Sequence, residues 1–296
     1  MQLKTTHQLS CRKFIYIILS TVTYLSTLSA QIFSDTDVEI CNSKFQLAVD
    51  KNLASKSINK IIIEIGKSFF GTDYIAHTLE TEGEEQLVIN LTGLDCTTFL
   101  ENALVFARCI KKGKTSFEDY QKELILIRYR NGIIDQYPSR LHYFTDWIFD
   151  NEKKGIVKDV TKEIGGKKLE LELSFMSDHA NYYKHLKENL DFIPIVKLQE
   201  EEINKREYYF IPQEKIAENE SKIEDGDLLA FTSTVKGLDV NHVGIAVRMD
   251  DGRIHILHAP NVGYQVEISE LPLAEYVQKI EKDSGVIIVR ALEPEY

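Results

Sequence analysis

The sequence predicts an α+β fold, with helices in the N-terminal half packed on an antiparallel sheet built late in the chain. Three observations predict it. Between residues 57 and 151 apolar side chains recur at helical spacing. From residue 207 onward, short β-rich runs alternate with Gly and Asp turns. No Pro-, Gly- or Ser-rich linker divides the 296 residues, so any sub-domain is packed rather than tethered.

Taken in order, residues 57–70 read as a helix with Ile58, Ile61, Ile62 and Ile65 on one face, broken by Gly71-Thr72-Asp73. The region before it, around Cys41, carries no clear pattern. Residues 87–91 are a short apolar run ahead of the turn Thr92-Gly93-Leu94. From Cys96 onward, Phe99, Leu100, Ala103, Leu104, Ala107 and Ile110 keep helical spacing until Lys111-Lys112-Gly113 closes the helix. Helices over 116–130 and 139–151 follow, capped by Ser116 and Ser139. Residues 168–174 alternate like a strand, 177–189 are helical, and 207–211 form a strand. The runs at 227–232, 241–249, 253–259 and 285–291 make the main sheet, with Asp250-Asp251-Gly252 as a hairpin turn.

The N-terminus has the order of a secretory signal. Lys4, Arg12 and Lys13 precede an apolar stretch over 14–28 that ends in Ser29-Ala30. Residues 1–30 are therefore expected to be a signal peptide and 31–296 a single catalytic domain, exported to the periplasm without a membrane span. The mature chain carries 32 basic and 46 acidic residues, a formal charge of -14. That excludes a nucleic-acid partner, which demands clustered Lys and Arg. Removing the signal with Cys11 leaves Cys41, Cys96 and Cys109. Three cysteines cannot form a disulfide framework, and an odd number leaves at least one free thiol.

Cys96 is the thiol with a chemical setting. Asp95 is a good N-cap, so Cys96 falls in the first turn of a helix, where the macrodipole favours a thiolate. The same N–H groups can donate to an oxyanion beside the sulfur. Cys109, late in the same helix beside Ile110, reads as a buried hydrophobe. A thiol nucleophile needs a base, and the base an orienting group. Asn241-His242-Val243-Gly244-Ile245-Ala246-Val247 is a strand that places His242 on one face with Gly244 and Ala246. That small-residue face is where a helix end carrying the nucleophile is expected to pack. The next strand offers His255 and His258 on opposite faces, with Asn261 just beyond. Glu101, after the helix start, reads as a solvated or capping side chain.

These blocks resemble the NlpC/P60 superfamily of cysteine peptidases and amidases, which pair an Asp-Cys at a helix start with a His-Val-Gly-Ile strand. Gly226-Asp227-Leu228-Leu229, Gly71 and Tyr74 match further positions of that pattern. Within it the chain looks most like the DUF1460 branch, similar to N-acetylmuramoyl-L-alanine amidases, through segments 71–80, 94–101, 129–147 and 237–246.

The resemblance implies a papain-like fold with an inserted helical segment at about 116–220. It implies a triad of Cys96, His242 and, by alignment of His258-Ala259, His258. It further implies hydrolysis of the amide between N-acetylmuramic acid and L-alanine in peptidoglycan or muropeptides. Cutting within the stem peptide is the alternative reaction, and a non-catalytic wall-binding module the alternative class. The block rich in Arg, Tyr and His nominates Arg140, His142 and Tyr143 as substrate-binding residues. Arg140 would grip a lactyl or peptide carboxylate, and the Tyr74 hydroxyl would orient substrate. No cofactor or metal is expected, because there is no His-Glu-x-x-His motif and no cysteine cluster.

Overall fold

The computed structural model describes residues 31–261 and 264–295; the expected signal segment lies outside the described residues. Ten α-helices and an antiparallel main sheet are seen among them, as an α+β reading requires. The helices are α1 (Asp35–Asp50), α2 (Ile58–Lys67), α3 (Cys96–Lys112), α4 (Phe117–Arg128), α5 (Phe144–Lys153), α6 (Phe175–Asp178), α7 (Lys184–Glu188), α8 (Phe192–Ile203), α9 (Ile216–Asn219) and α10 (Leu273–Lys279). Two short parallel pairs stand apart: β1 (Gln31–Ile32) with β3 (Leu87–Val88), and β2 (Asp73–Tyr74) with β4 (Gly93–Leu94).

The main sheet contains β5 (Val157–Asp159), β6 (Lys167–Leu169), β7 (Tyr208–Pro212), β8 (Leu228–Ser233), β9 (Val240–Arg248), β10 (Ile254–His258), β11 (Glu267–Ile268) and β12 (Asp283–Ala291). Its order is β11-β10-β9-β8-β12-β7-β6, with β5 pairing the far part of β12. The strands β8, β9 and β10 form a meander. Its second turn is the expected Asp250-Asp251-Gly252 hairpin, with Gly252 at φ +79°. At the first strand's start, the buried Asp227 carboxylate grips Arg290 with two bonds of 2.8 and 2.9 Å, tying β8 to the end of β12.

Helix α3 is the central column. Asp95 caps it in a reciprocal box with Thr98: Thr98 N–H donates to Asp95 Oδ1 (2.7 Å), and Asp95 N–H to Thr98 Oγ1 (2.9 Å). Gly113, at φ +63°, closes it. Phe99, Leu100, Ala103 and Phe106 are fully buried in one core with α2 and with Val243, Ile245 and Val247 of β9. Burial of each large apolar side chain contributes roughly 1.5–3 kcal/mol. On the sheet's other side Ala246, Ile256 and Phe231 pack with Leu273, Ala274 and Val277 of α10.

Several elements differ from the sequence reading. The region around Cys41 is the 16-residue α1, started by a capping box between Ser34 and Asp37. Helix α5 begins at Phe144 rather than at Ser139, whose hydroxyl instead donates to Gln136 O within a short 3₁₀ turn. The 168–174 alternation yields only Lys167–Leu169, and 177–189 breaks into α6, a 3₁₀ turn and α7. Glu101 is buried, accepting from Arg128 Nε (2.8 Å) and Trp147 Nε1 (3.2 Å), so it is neither solvated nor a cap. A buried carboxylate persists there because it is paired.

Candidate active site

The N-cap at Asp95 puts Cys96 at the first residue of α3, half-buried. The Val243 backbone N–H points at the sulfur, and Thr97 Oγ1 lies 4.0 Å from it. Burial, reinforced by the Asp95 charge, pushes the thiol up to about 12. This reverses the expected thiolate: burial outweighs the hydrogen bonds that Val243 N–H and the Thr97 backbone and hydroxyl offer the sulfur. Cys41 and Cys109 are free thiols buried in the core, and burial raises both.

His242 lies at the entrance of β9, beside a bulge. Phe231 pairs with His242 and Thr232 with Val240, so Asn241 is an extra residue that bends the strand. Asn241 is held by Ser233 Oγ (2.8 Å) and donates to Asp283 Oδ1 (3.1 Å). The His242 ring stacks on Phe231 at 5.4 Å between centroids. Its Nε2 lies 2.7 Å from His258 Nδ1. Burial first, then the neighbouring His258, holds His242 well below the usual imidazole range, and burial alone brings His258 down to about 4.

Gly244 makes that pairing feasible. A Cβ there would sit 3.2 Å from His258 Cβ and 2.5 Å from Ile256 Cγ2. The small-residue face of β9 therefore serves the two histidines, while α3 packs on the opposite, branched face of Val243, Ile245 and Val247. The body of α3 thus packs on the branched face, which offers more apolar area than Gly and Ala do, while its first residue, Cys96, lines a cleft with His242. The sheet alternation places His255 away from the pair, bonded to Ser269 O (2.8 Å) and Asp251 Oδ2 (3.1 Å). Asn261 is exposed.

Cys96, Thr97, His142, Asn241 and His242 line one cleft. A second, polar cleft holding Arg140 adjoins it through Thr97, Leu141 and His142. Tyr74, paired to Leu94 just before the helix cap, is half-buried; burial and the neighbouring Cys96 and Asp95 raise its hydroxyl. His142 Nε2 is 3.0 Å from Tyr137 O, which makes Nε2 the donor and leaves Nδ1 as an acceptor. Burial, with Arg140 nearby, keeps this ring neutral far below the usual range.

Arg140 is buried, bonding Glu80 (2.6 Å) and Leu79 O (3.1 Å) beside Glu85. Tyr143 is also buried, donating to Glu200 (2.6 Å) and accepting from Met176 N–H (2.9 Å). It thus lies outside both clefts. Sequence reasoning missed Tyr276 on α10, whose ring meets His258 edge-on at 5.4 Å, and Asp283 behind the bulge. Neither carries a local motif. No group of three or more His, Cys, Asp or Glu suited to a metal occurs among the described residues.

A search of curated proteins finds no match to the chain. Among solved structures, it is similar to an N-acetylmuramoyl-L-alanine amidase from Bacteroides uniformis, with 34% identity and a TM-score of 0.75 over 79% of this chain and 99% of that one. A Bacteroides fragilis protein provisionally described as a xylanase shares 36% identity at a TM-score of 0.72, covering 76% of this chain and 98% of that one. A Legionella pneumophila protein of the DUF1460 family, 22% identical, shares the fold at a TM-score of 0.64 over 88% of this chain and 97% of that one. The family model described as N-acetylmuramoyl-L-alanine amidase-like matches residues 64–286. By that match, and by the similarity that spans nearly all of the first amidase, the chain belongs to the N-acetylmuramoyl-L-alanine amidase-like family.

Proposed function

We propose that the protein is an exported cysteine amidase of papain-like NlpC/P60 type. It would cleave the amide between the lactyl group of N-acetylmuramic acid and L-alanine in peptidoglycan or muropeptides. The observation that carries this reading is the 2.7 Å bond between His242 Nε2 and His258 Nδ1, beside a helix-terminal cysteine in the same cleft. With Nε2 engaged, the other ring nitrogen of His242 remains for the thiol. The family match to amidases supports the bond chosen, and the basic-then-apolar leader supports export.

The pair rests neutral, as thiol and imidazole, because burial raises one and lowers the other. Attack is therefore coupled to proton transfer. The sulfur–carbon bond forms as His242 takes the thiol proton, and helix N–H groups hold the oxyanion. His242 then delivers that proton to the amine as the carbon–nitrogen bond breaks. Water, deprotonated by the same ring, hydrolyses the thioester to a lactyl carboxylate and restores the thiol. His258, buried and uncharged, fixes the ring's orientation. Tyr74, with its hydroxyl beside the thiol, is a substrate-orienting group.

Muropeptides incubated with the protein, with products read by mass, test this. Free sugar plus intact stem peptide is the expected outcome; shortened peptides would shift the reaction to an endopeptidase. Cys96→Ala should abolish turnover with the fold retained, a loss on the order of 10⁴-fold or more. Unchanged processing by that variant would overturn the cysteine mechanism.

A further inference from the structure

Proton transfer from the thiol sets a condition on His258 that no hydrogen bond in the structure enforces. For Nδ1 of His242 to take that proton, its Nε2 must carry hydrogen and donate to His258 Nδ1, 2.7 Å away. Burial keeps the His258 ring uncharged, so with Nδ1 accepting, its own proton must sit on Nε2. In the opposite tautomer His258 would donate, the His242 proton would lie on Nδ1, and the base would be blocked. Yet His258 Nε2 is buried without a hydrogen-bond partner. Glu267 stands opposite His258 across β10 and β11, but it is exposed and does not bond that nitrogen. An orphaned buried N–H disfavours the very tautomer that turnover needs, unless another group receives it.

Aromatic rings surround the pair. Phe231 stacks on His242 at 5.4 Å and 28°, and His242 meets His258 at 5.0 Å and 74°. His258 meets Tyr276 at 5.4 Å and 83°, and Tyr276 closes the circuit on Phe231 at 6.1 Å. Tyr276 stands on α10, where Leu273, Ala274 and Val277 seal the helix onto this face of the sheet. Perpendicular rings set an edge of one against the face of the other, and the face carries the negative part of the quadrupole. Such a face attracts an N–H and repels a ring lone pair. Resting on the cysteine reading above, we propose that Tyr276 is a positioning residue whose ring face receives the His258 Nε2–H. It thereby holds His258 in the accepting tautomer and His242 in the basic one. The Tyr276 hydroxyl takes no part in this hold.

Nitrogen-15 NMR of the histidine rings at pH 7 reads the tautomers whatever reaction the protein catalyses. In the wild type, His258 should show a protonated Nε2 and a bare Nδ1, with the Nε2–H proton shifted upfield by the Tyr276 ring. In Tyr276→Leu the upfield shift should vanish and both tautomers should appear, while kcat on muropeptides falls about tenfold with KM unchanged. Tyr276→Phe, which keeps the ring face, should restore both the spectrum and kcat. Val277→Ala, a change to the buried core one residue on, should lower stability without either effect. A wild-type His258 protonated at Nδ1, or one whose Nε2–H lacks the upfield shift, would overturn the proposal without any variant having to fold. So would a Tyr276→Leu protein unaltered in spectrum or in kcat, or a Tyr276→Phe protein that restores neither. If Cys96→Ala still processes muropeptides, the cysteine reading fails and this role fails with it, an outcome distinct from any change in the His258 spectrum.

Discussion

His258 Nδ1 lies 2.7 Å from His242 Nε2, and His258 is neutral at physiological pH. A neutral imidazole orients its neighbour without stabilising an imidazolium as a carboxylate does. His242, its pKa already lowered by burial, therefore stays an unprotonated base into acid. Activity is then lost only as pH falls through that lowered value, and the acid limb of kcat/KM should lie well below 6.5. His258→Asp should move the limb upward by charge stabilisation of the protonated ring, and His258→Ala should lower kcat on the order of 100-fold through misorientation. A wild-type limb at or above 6.5 would contradict the neutral pairing.

Gly244 controls the same pairing sterically. In Gly244→Ala, the new Cβ meets Ile256 Cγ2 at 2.5 Å and His258 Cβ at 3.2 Å. Overpacking of this kind costs about 1–3 kcal/mol, readable by urea unfolding. The loss of kcat in still-folded protein should exceed that of a comparable core variant such as Ala246→Gly, because in the proposed mechanism the displaced ring is the orienting one. Equal losses would make Gly244 a packing residue alone.

Asp95 joins helix capping to thiol chemistry. Its charge helps raise the Cys96 thiol, while its Oδ1 accepts the capping bond. Asn caps a helix about as well as Asp does, so Asp95→Asn isolates the charge. Alkylation by iodoacetamide should be slow in the wild type at pH 7 and still rising at pH 10. In the variant it should be several-fold faster at pH 8, as expected for removal of one nearby charge. A wild-type rate that levels off below pH 8 would indicate a thiolate at rest.

How much of this was legible in the sequence depends on how local each determinant is. The Asp95 cap, the Gly113 stop and the Asp251-Gly252 hairpin were readable because each is set by neighbours a few residues away. Alternation along residues 254–258 likewise put His255 and His258 on opposite faces. Helix α1 was missed although Ser34 and Asp37 form a capping box and Cys41, Phe45 and Ala48 share its buried face. Its first turn is acidic and its apolar face narrow, so the signal was weak. The face on which α3 packs, the neutralisation of Arg140 by Glu80, and the approach of Tyr276 to His258 depend on partners 60, 18 or more residues away. Nothing within a local window encodes them. The thiol's raised pKa was hidden for the same reason, since the helix start is local but the packing that buries the sulfur is not.

Asp283 provides a stability test tied to the bulge that sets His242. It is buried, receives Asn241 Nδ2 at 3.1 Å, and burial raises it from 3.8 to about 6. The fold therefore favours the protonated form. The stability attached to this proton is fully present below about pH 4 and is lost as pH rises through about 6. Asp283→Asn keeps an acceptor for Asn241 but never ionises. Its stability relative to wild type should rise between pH 4 and pH 7.5 by at most about 3 kcal/mol, the free energy of a shift of this size. Urea unfolding of both proteins at the two pH values measures the difference, in which the buried histidines, common to both, cancel. A difference that does not change with pH would mean that Asp283 titrates normally, and that the Asn241 bulge is held by the backbone and Ser233 rather than by a buried proton.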